Sequence, residues 1–313
     1  MPATGAATRH AQATRTPDPV RQLAGTAGQR ASTGPAALHR GPDRTRSWAC
    51  RPSSARIANY LLGGRHNYPA DRHVANRVRA VAPWLETAVL INRVHGHLTV
   101  AALASEYGIT QFLDLGSGLL PTGTTSDELH EPVCASVPGA KVVHVDSDMA
   151  MARHTRTCLT ASPRSHPFVH ADFRNIFSVL RAPAVQSLDP GEPVGVLAHG
   201  GALGATSAAE ASFVLNQVRA WAPPGSAISM THVTADFCES EAAAVALHLS
   251  KAGLPFHPLP GTEIAQLLAP WPLRKPGVVA LSRYHQDNPH AHLPDHATGT
   301  YAAIALHPAH AHH

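Results

Sequence analysis

Gln111-Phe112-Leu113-Asp114-Leu115-Gly116-Ser117-Gly118 is a short apolar run that closes on a glycine turn, and Val142-Val143-His144-Val145-Asp146 answers it with a second run closed by an acid. Two such strands joined by a crossover make a βαβ nucleotide pocket. Glycines just past a strand let the backbone turn tightly and approach a ligand. The dinucleotide fingerprint needs a third glycine, but the position three after Gly118 is Pro121, which has no N–H for a phosphate. The loop therefore suits a ligand held by its ribose and by a charged amino-acid tail better than a pyrophosphate.

Asp146 is placed to accept both hydroxyls of an adenosine ribose. The competing role is local, because Asp146, Ser147 and Asp148 can each cap the following helix. Asp172-Phe173 falls just past the third strand, where an acid beside an aromatic can bond an adenine amino group and pack its ring, or simply cap a helix. His199-Gly200-Gly201 ends the fourth strand, where a substrate meets the cofactor. His199 is a candidate general base there and equally a wall residue whose glycines make room. Cys238, after the fifth strand, reads as core.

Working outward, strands are predicted at about 111–115, 141–145, 167–171, 194–199 and 227–232, with a final antiparallel pair at 278–284 and 301–306. Helices are predicted at about 127–136, 148–161, 174–182, 207–222, 237–252 and 263–268. This alternation argues for an α/β, doubly wound, mostly parallel sheet. Ahead of it Pro52 to Gly64 reads as a first helix that Ser53 or Ser54 caps. A second, about 72–81, is capped by Asp71, and a third runs about 84–106 to a stop at Gly108. The expected organisation is a disordered basic leader over 1–50, a helical cap over 51–108, the α/β domain over 109–308 and a His-rich tail over 309–313.

Bulk properties narrow the class. The chain has 313 residues, 44% of them hydrophobic, as in a soluble globular protein. No apolar run reaches the roughly 18 residues of a membrane span, and no secretory core lies near the start. The expected compartment is the cytoplasm. Cys50, Cys134, Cys158 and Cys238 form no CxxC pair, so reduced thiols are expected rather than zinc or disulfides. The net charge of +4 comes largely from the leader, where nine arginines up to Arg56 face Asp18 and Asp43. No nucleic-acid motif accompanies it, so it reads as a solvated tail. The histidines after His285 read as adventitious metal affinity, and no metal site is expected.

The chain resembles the bacterial S-adenosylmethionine-dependent methyltransferases long catalogued as a domain of unknown function. The carrying stretches are Pro52 to Arg56 through Tyr60-Leu61-Leu62-Gly63-Gly64, Asn67 to Asp71-Arg72, Asn92-Arg93, Gln111 to Gly118, Val142 to Asp146, Ala171-Asp172, Thr231-His232 and Pro276 to Val279. The resemblance implies a class I methyltransferase fold, seven-stranded with the last strand antiparallel. It implies S-adenosyl-L-methionine as cofactor; the methyl acceptor is not identified by the sequence, and a small molecule is expected. Gly116 and Gly118 would lie at the methionine part of the cofactor, Asp146 at the ribose, and Asp172 with Phe173 at the adenine; Asp114, Ser117 and Ser147 are further candidate cofactor-binding residues. Helices before the sheet would cover it, with Tyr60, Gly63, Asn67, Asp71, Arg72 and Arg93 lining the closed site. Three features depart from the family: a longer loop over Leu119 to Thr125, a Gly200 to Thr206 stretch without the usual aromatic and acids, and His144 where a tyrosine is usual. The alternatives to methyl transfer are a non-catalytic module that binds this cofactor and an NAD-dependent oxidoreductase.

Overall fold

The computed structural model describes residues 49–118, 140–150, 152–153, 167–200 and 203–308. The leader, the 119–139 loop with its expected helix, most of the 148–161 helix and the 309–313 tail lie outside the described residues.

Three helices come first. α1 spans Ser54–Leu61, α2 Pro69–Val81 and α3 Trp84–Tyr107. α2 starts earlier than expected, and Asp71 sits at its third position rather than at its cap. There its carboxylate takes the Tyr68 and Ser53 N–H groups, at 2.8 and 2.9 Å, and so ties α1 to α2. α3 ends at Gly108, whose φ of 67° is the left-handed conformation that closes a helix cheaply only at glycine.

The sheet has seven strands: β1 Gln111–Leu115, β2 Lys141–Asp146, β3 Phe168–His170, β4 Val194–Ala198, β5 Ala227–Val233, β6 Val279–Ala280 and β7 Thr300–Leu306. Their order is β3-β2-β1-β4-β5-β7-β6. The first five run parallel, and β7 enters antiparallel between β5 and β6. β6 has two residues instead of the expected seven. Leu281 and Tyr284 leave the sheet edge to pack beneath α3, which ends the strand.

The remaining helices are α4 Ile176–Leu180, α5 Pro183–Gln186, α6 Ala208–Trp221, α7 Glu239–Lys251 and α8 Gly261–Leu268. Ser207 caps α6, its hydroxyl taking the Glu210 N–H while Glu210 reaches back to Ser207 N–H.

Side chains of a strand alternate between faces, and the core divides accordingly. Leu113, Leu115, Val143, Val145, Val196 and Ile228 pack under α4, α6 and α8. Phe112, Val142, Leu197 and Ala227 pack under α3. The same alternation puts Asp114, His144 and Ser229 on the α3 side. α1, α2, α7 and the first half of α3 form a third cluster around Ile57, Val78 and Val245.

Phe112 fits because its neighbour across the ladder is Gly195, where an added Cβ would lie 2.6 Å from the Phe112 ring. Gly195→Ala is expected to lower the stability by about 1–3 kcal/mol through overpacking. Urea denaturation reads this, and an unchanged midpoint would show that the Phe112 contact is not constrained.

Candidate functional site

The ends of the parallel strands form one rim. Gly116 and Gly118 have φ of 70° and 68°, so the loop turns twice in the left-handed region right after β1. It is pinned to β2, where Val145 C=O accepts from Gly116 and Ser117 N–H at 2.8 and 3.1 Å. Asp146 finishes the joint. Its Oδ2 takes the Gly118 N–H at 2.9 Å and its Oδ1 takes the Asp148 N–H at 2.8 Å. Burial raises the Asp146 pKa, the two N–H groups pull it back, and the Asp148 and Asp114 carboxylates add to the rise. The helix cap itself falls to Asp148, whose Oδ1 takes the Ala150 N–H at 2.8 Å.

Asp114, Gly116, Ser117, Gly118, Asp146, Ser147, Asp172, Phe173 and His199 all line a single cavity of about 550 Å³. This is the size of a small-ligand site. Asp114 meets the departure at His144 directly, its Oδ2 lying 3.1 Å from His144 Nδ1. Asp172 is held by Arg174 on both carboxylate oxygens, at 2.6–3.0 Å, which lowers its pKa. Ser117 Oγ is buried without a partner among the described residues, an uncommon state that a bound polar group would relieve.

Tyr60, Gly63, Asn67 and Arg72 are outside this lining. They brace the turn between α1 and α2 instead. Asn67 Nδ2 donates to Asn59 Oδ1 and Gly64 C=O at 3.1 and 2.8 Å, Arg72 donates to Asn67, and Tyr60 to Asn76. Gly63 takes φ 76° just past α1. Arg93 lines the cavity, whereas Asp71 is fully buried and outside the lining.

The roof comes from α1, through Ser54, Ala55, Arg56, Ala58 and Asn59. Arg56, only 3% exposed, donates to Asp71 at 2.8 Å, to Asp148 and to the Arg51 carbonyl. One guanidinium fork thus joins α1, α2 and the end of β2. Sequence reasoning passed over Arg56 and Asp148 as site residues, although Arg56 stood inside the quoted stretch. Its partners lie 15 and 92 residues away, a relation that no local pattern carries.

At the far end, His199 follows β4. Gly200 N–H meets Asn92 Oδ1 at 3.2 Å and Thr231 Oγ1 at 2.9 Å. Val89, Asn92, Arg93, Gly96 and His97 form the cavity-facing stripe of α3. The neighbouring stripe of α3 buries His95 and Thr99 against His199 and His285. Burial lowers the pKa of all three histidines, to about 4 for His199 and His285.

Residues 43–308 match the S-adenosyl methyltransferase family. The chain belongs to this family. Two solved structures are similar. A DUF574 family protein from Streptomyces avermitilis MA-4680 has 29% identity and a TM-score of 0.76, over 82% of this chain and 98% of that one. A protein from Thermobifida fusca YX, provisionally assigned as a methyltransferase, has the same identity and TM-score over 86% and 99%. No curated protein matches the sequence. The activity is accordingly S-adenosylmethionine-dependent methyl transfer, and the NAD-dependent reading is set aside. Among the described residues no helix is long and apolar enough to cross a membrane.

The three buried histidines generate a pH test. Between the ordinary value of 6.5 and about 4, the unfolded chain binds protons that the folded His199 refuses. Stability must therefore fall as the pH drops through that window, on the order of 3 kcal/mol for His199 alone. Urea midpoints at neutral and at acid pH measure the fall, and a flat profile over that range would contradict the burial of neutral imidazoles.

Proposed function

We propose that the cavity holds S-adenosylmethionine across the ends of β1, β2 and β3 and presents the methyl group toward His199 for transfer to a small-molecule acceptor. The observation that carries this reading is Asp146. Its two bonds to Gly118 and Asp148 leave further lone pairs on a carboxylate that lines the cavity. Those lone pairs suit the two hydroxyls of a ribose.

Gly116 and Gly118 present bare backbone to the amino-acid part, and Ser117 offers a hydroxyl that has no partner among the described residues, with Asp114 at hand. Ser147 stands beside the ribose position. Asp172 and Phe173 flank the adenine position, where Phe173 supplies a ring face. Residues 51–108 act as a cap, with α1 as roof, and Tyr60, Gly63, Asn67 and Arg72 act through the shape of the turn below it. The bound cofactor would supply a methyl group on a sulfonium, with its own leaving group. The protein's part is then to align the acceptor and exclude water. His199 faces the acceptor. The absence of a membrane-length helix among the described residues and the two free thiols Cys50 and Cys238 support a cytoplasmic setting.

Calorimetry tests the assignment. The intact protein should bind S-adenosylmethionine, and Asp146→Ala should weaken binding about a hundredfold, the loss of two hydrogen bonds to a charged group. No heat with the intact protein, or equal affinity in the variant, would sink it.

A further inference from the structure

The surroundings of His199 decide which of its nitrogens carries the proton. Nε2 lies 2.7 Å from Ser229 Oγ on β5. Ser229 is fully buried, and its hydroxyl has no other partner among the described residues. If Nε2–H donated to it, the serine O–H would be stranded, at a cost of about 1–3 kcal/mol. If the hydroxyl donates to Nε2, that donor is satisfied. The proton of a neutral His199 then sits on Nδ1. That nitrogen has no partner among the described residues, and His199 lines the cavity.

The groups behind His199 keep it neutral. His95 on α3 meets its ring edge-on, with centroids 5.1 Å apart. The His95 Nδ1 is buried with no partner among the described residues, so the tautomer that strands no N–H there leaves a lone pair on it. His95 Nε2–H then donates to Thr99 Oγ1 at 3.2 Å, and the Thr99 hydroxyl donates onward to His285 Nε2 at 3.1 Å. Tyr284 packs on His95 and His285. Burial holds the His199 pKa down to about 4; the Asp114 charge pulls the other way, and His285 adds a smaller push downward. His285 in turn is faced by Arg274, Glu106 and Asp287.

Wired in this way, His199 offers the cavity an N–H donor and no lone pair. The lining carboxylates are also engaged: Asp114 with His144, Asp146 with two N–H groups, Asp148 with Arg56, and Asp172 with Arg174. Resting on the cofactor reading above, we propose that the acceptor is a small carboxylate whose oxygen is held by the His199 Nδ1–H, and that the product is its methyl ester. An ionised carboxylate has no proton to lose. Its oxygen forms the C–O bond as the C–S bond breaks, the electron pair goes to sulfur, and the two opposite charges cancel. A hydroxyl or amine acceptor would instead leave a proton beside a histidine whose lone pair is already occupied. The lining agrees in kind. Arg93 and His97 share the α3 stripe with Asn92, while the aromatic of the lining, Phe173, belongs to the β3 end.

The test is nitrogen-15 NMR of the full-length protein loaded with S-adenosylhomocysteine, the His199 signals being assigned by His199→Phe. At about pH 7, the expected state is a single neutral tautomer protonated at Nδ1. Acetate should shift that signal and acetamide should not. His199→Phe should weaken acetate binding about tenfold. Ser229→Ala should mix the tautomers, and Ser229→Thr should restore one. A proton on Nε2, or equal behaviour of acetate and acetamide, including no response to either, overturns the proposal. Loss of S-adenosylhomocysteine binding itself would instead fail the cofactor reading, which calorimetry on the same sample separates.

Discussion

The structure turns on the carboxylate of Asp146. It receives the N–H of Gly118 on one oxygen and that of Asp148 on the other. The first bond fixes the glycine loop against the end of β2. The second sets Asp148, whose side chain receives Arg56, and Arg56 in turn holds Asp71 at the start of α2. A chain of charge-assisted bonds therefore runs from the sheet rim to the helices that roof the cavity. Removing Arg56 would take a shared cation from two buried carboxylates, Asp71 and Asp148, and breaking a buried ion pair on one side is the costly case.

A second polar system lies on the α3 side of the same sheet. There the requirement is the reverse, since burial lowers the pKa of His95, His199 and His285 and favours the neutral imidazole. The cavity thus has carboxylates of the strand ends on one side and, behind His199 on the other, a buried imidazole cluster. Asp114 stands between them, bonded to His144 and felt by His199. His144 gives this acid its partner.

Much of this was legible in the sequence, for physical reasons. Fully buried parallel strands read as apolar runs, so β1, β2, β4 and β5 fell close to their observed limits. Residues at strand ends are brought to one rim by the topology, so Gly116, Gly118, Asp146, Asp172 and His199 could be placed together before any coordinates. What failed was set by tertiary packing. β6 shortened because Leu281 and Tyr284 are drawn under α3, and Asp71 moved from the cap to the third position of α2. Tyr60, Asn67 and Arg72 were expected in the site and instead hold its turn. Arg56, Ser229, His95 and His285 were not singled out as a group, because contacts that span up to 186 residues leave no periodicity to read.

What Asp146 touches when the site is filled decides whether its carboxylate holds the ribose. A crystal structure with S-adenosylhomocysteine measures this directly. Both ribose hydroxyls should sit on the Asp146 carboxylate while the Gly118 N–H bond persists and α1 lies over the ligand. A product bound away from Asp146, or an Asp146 that keeps only its protein partners, would contradict it.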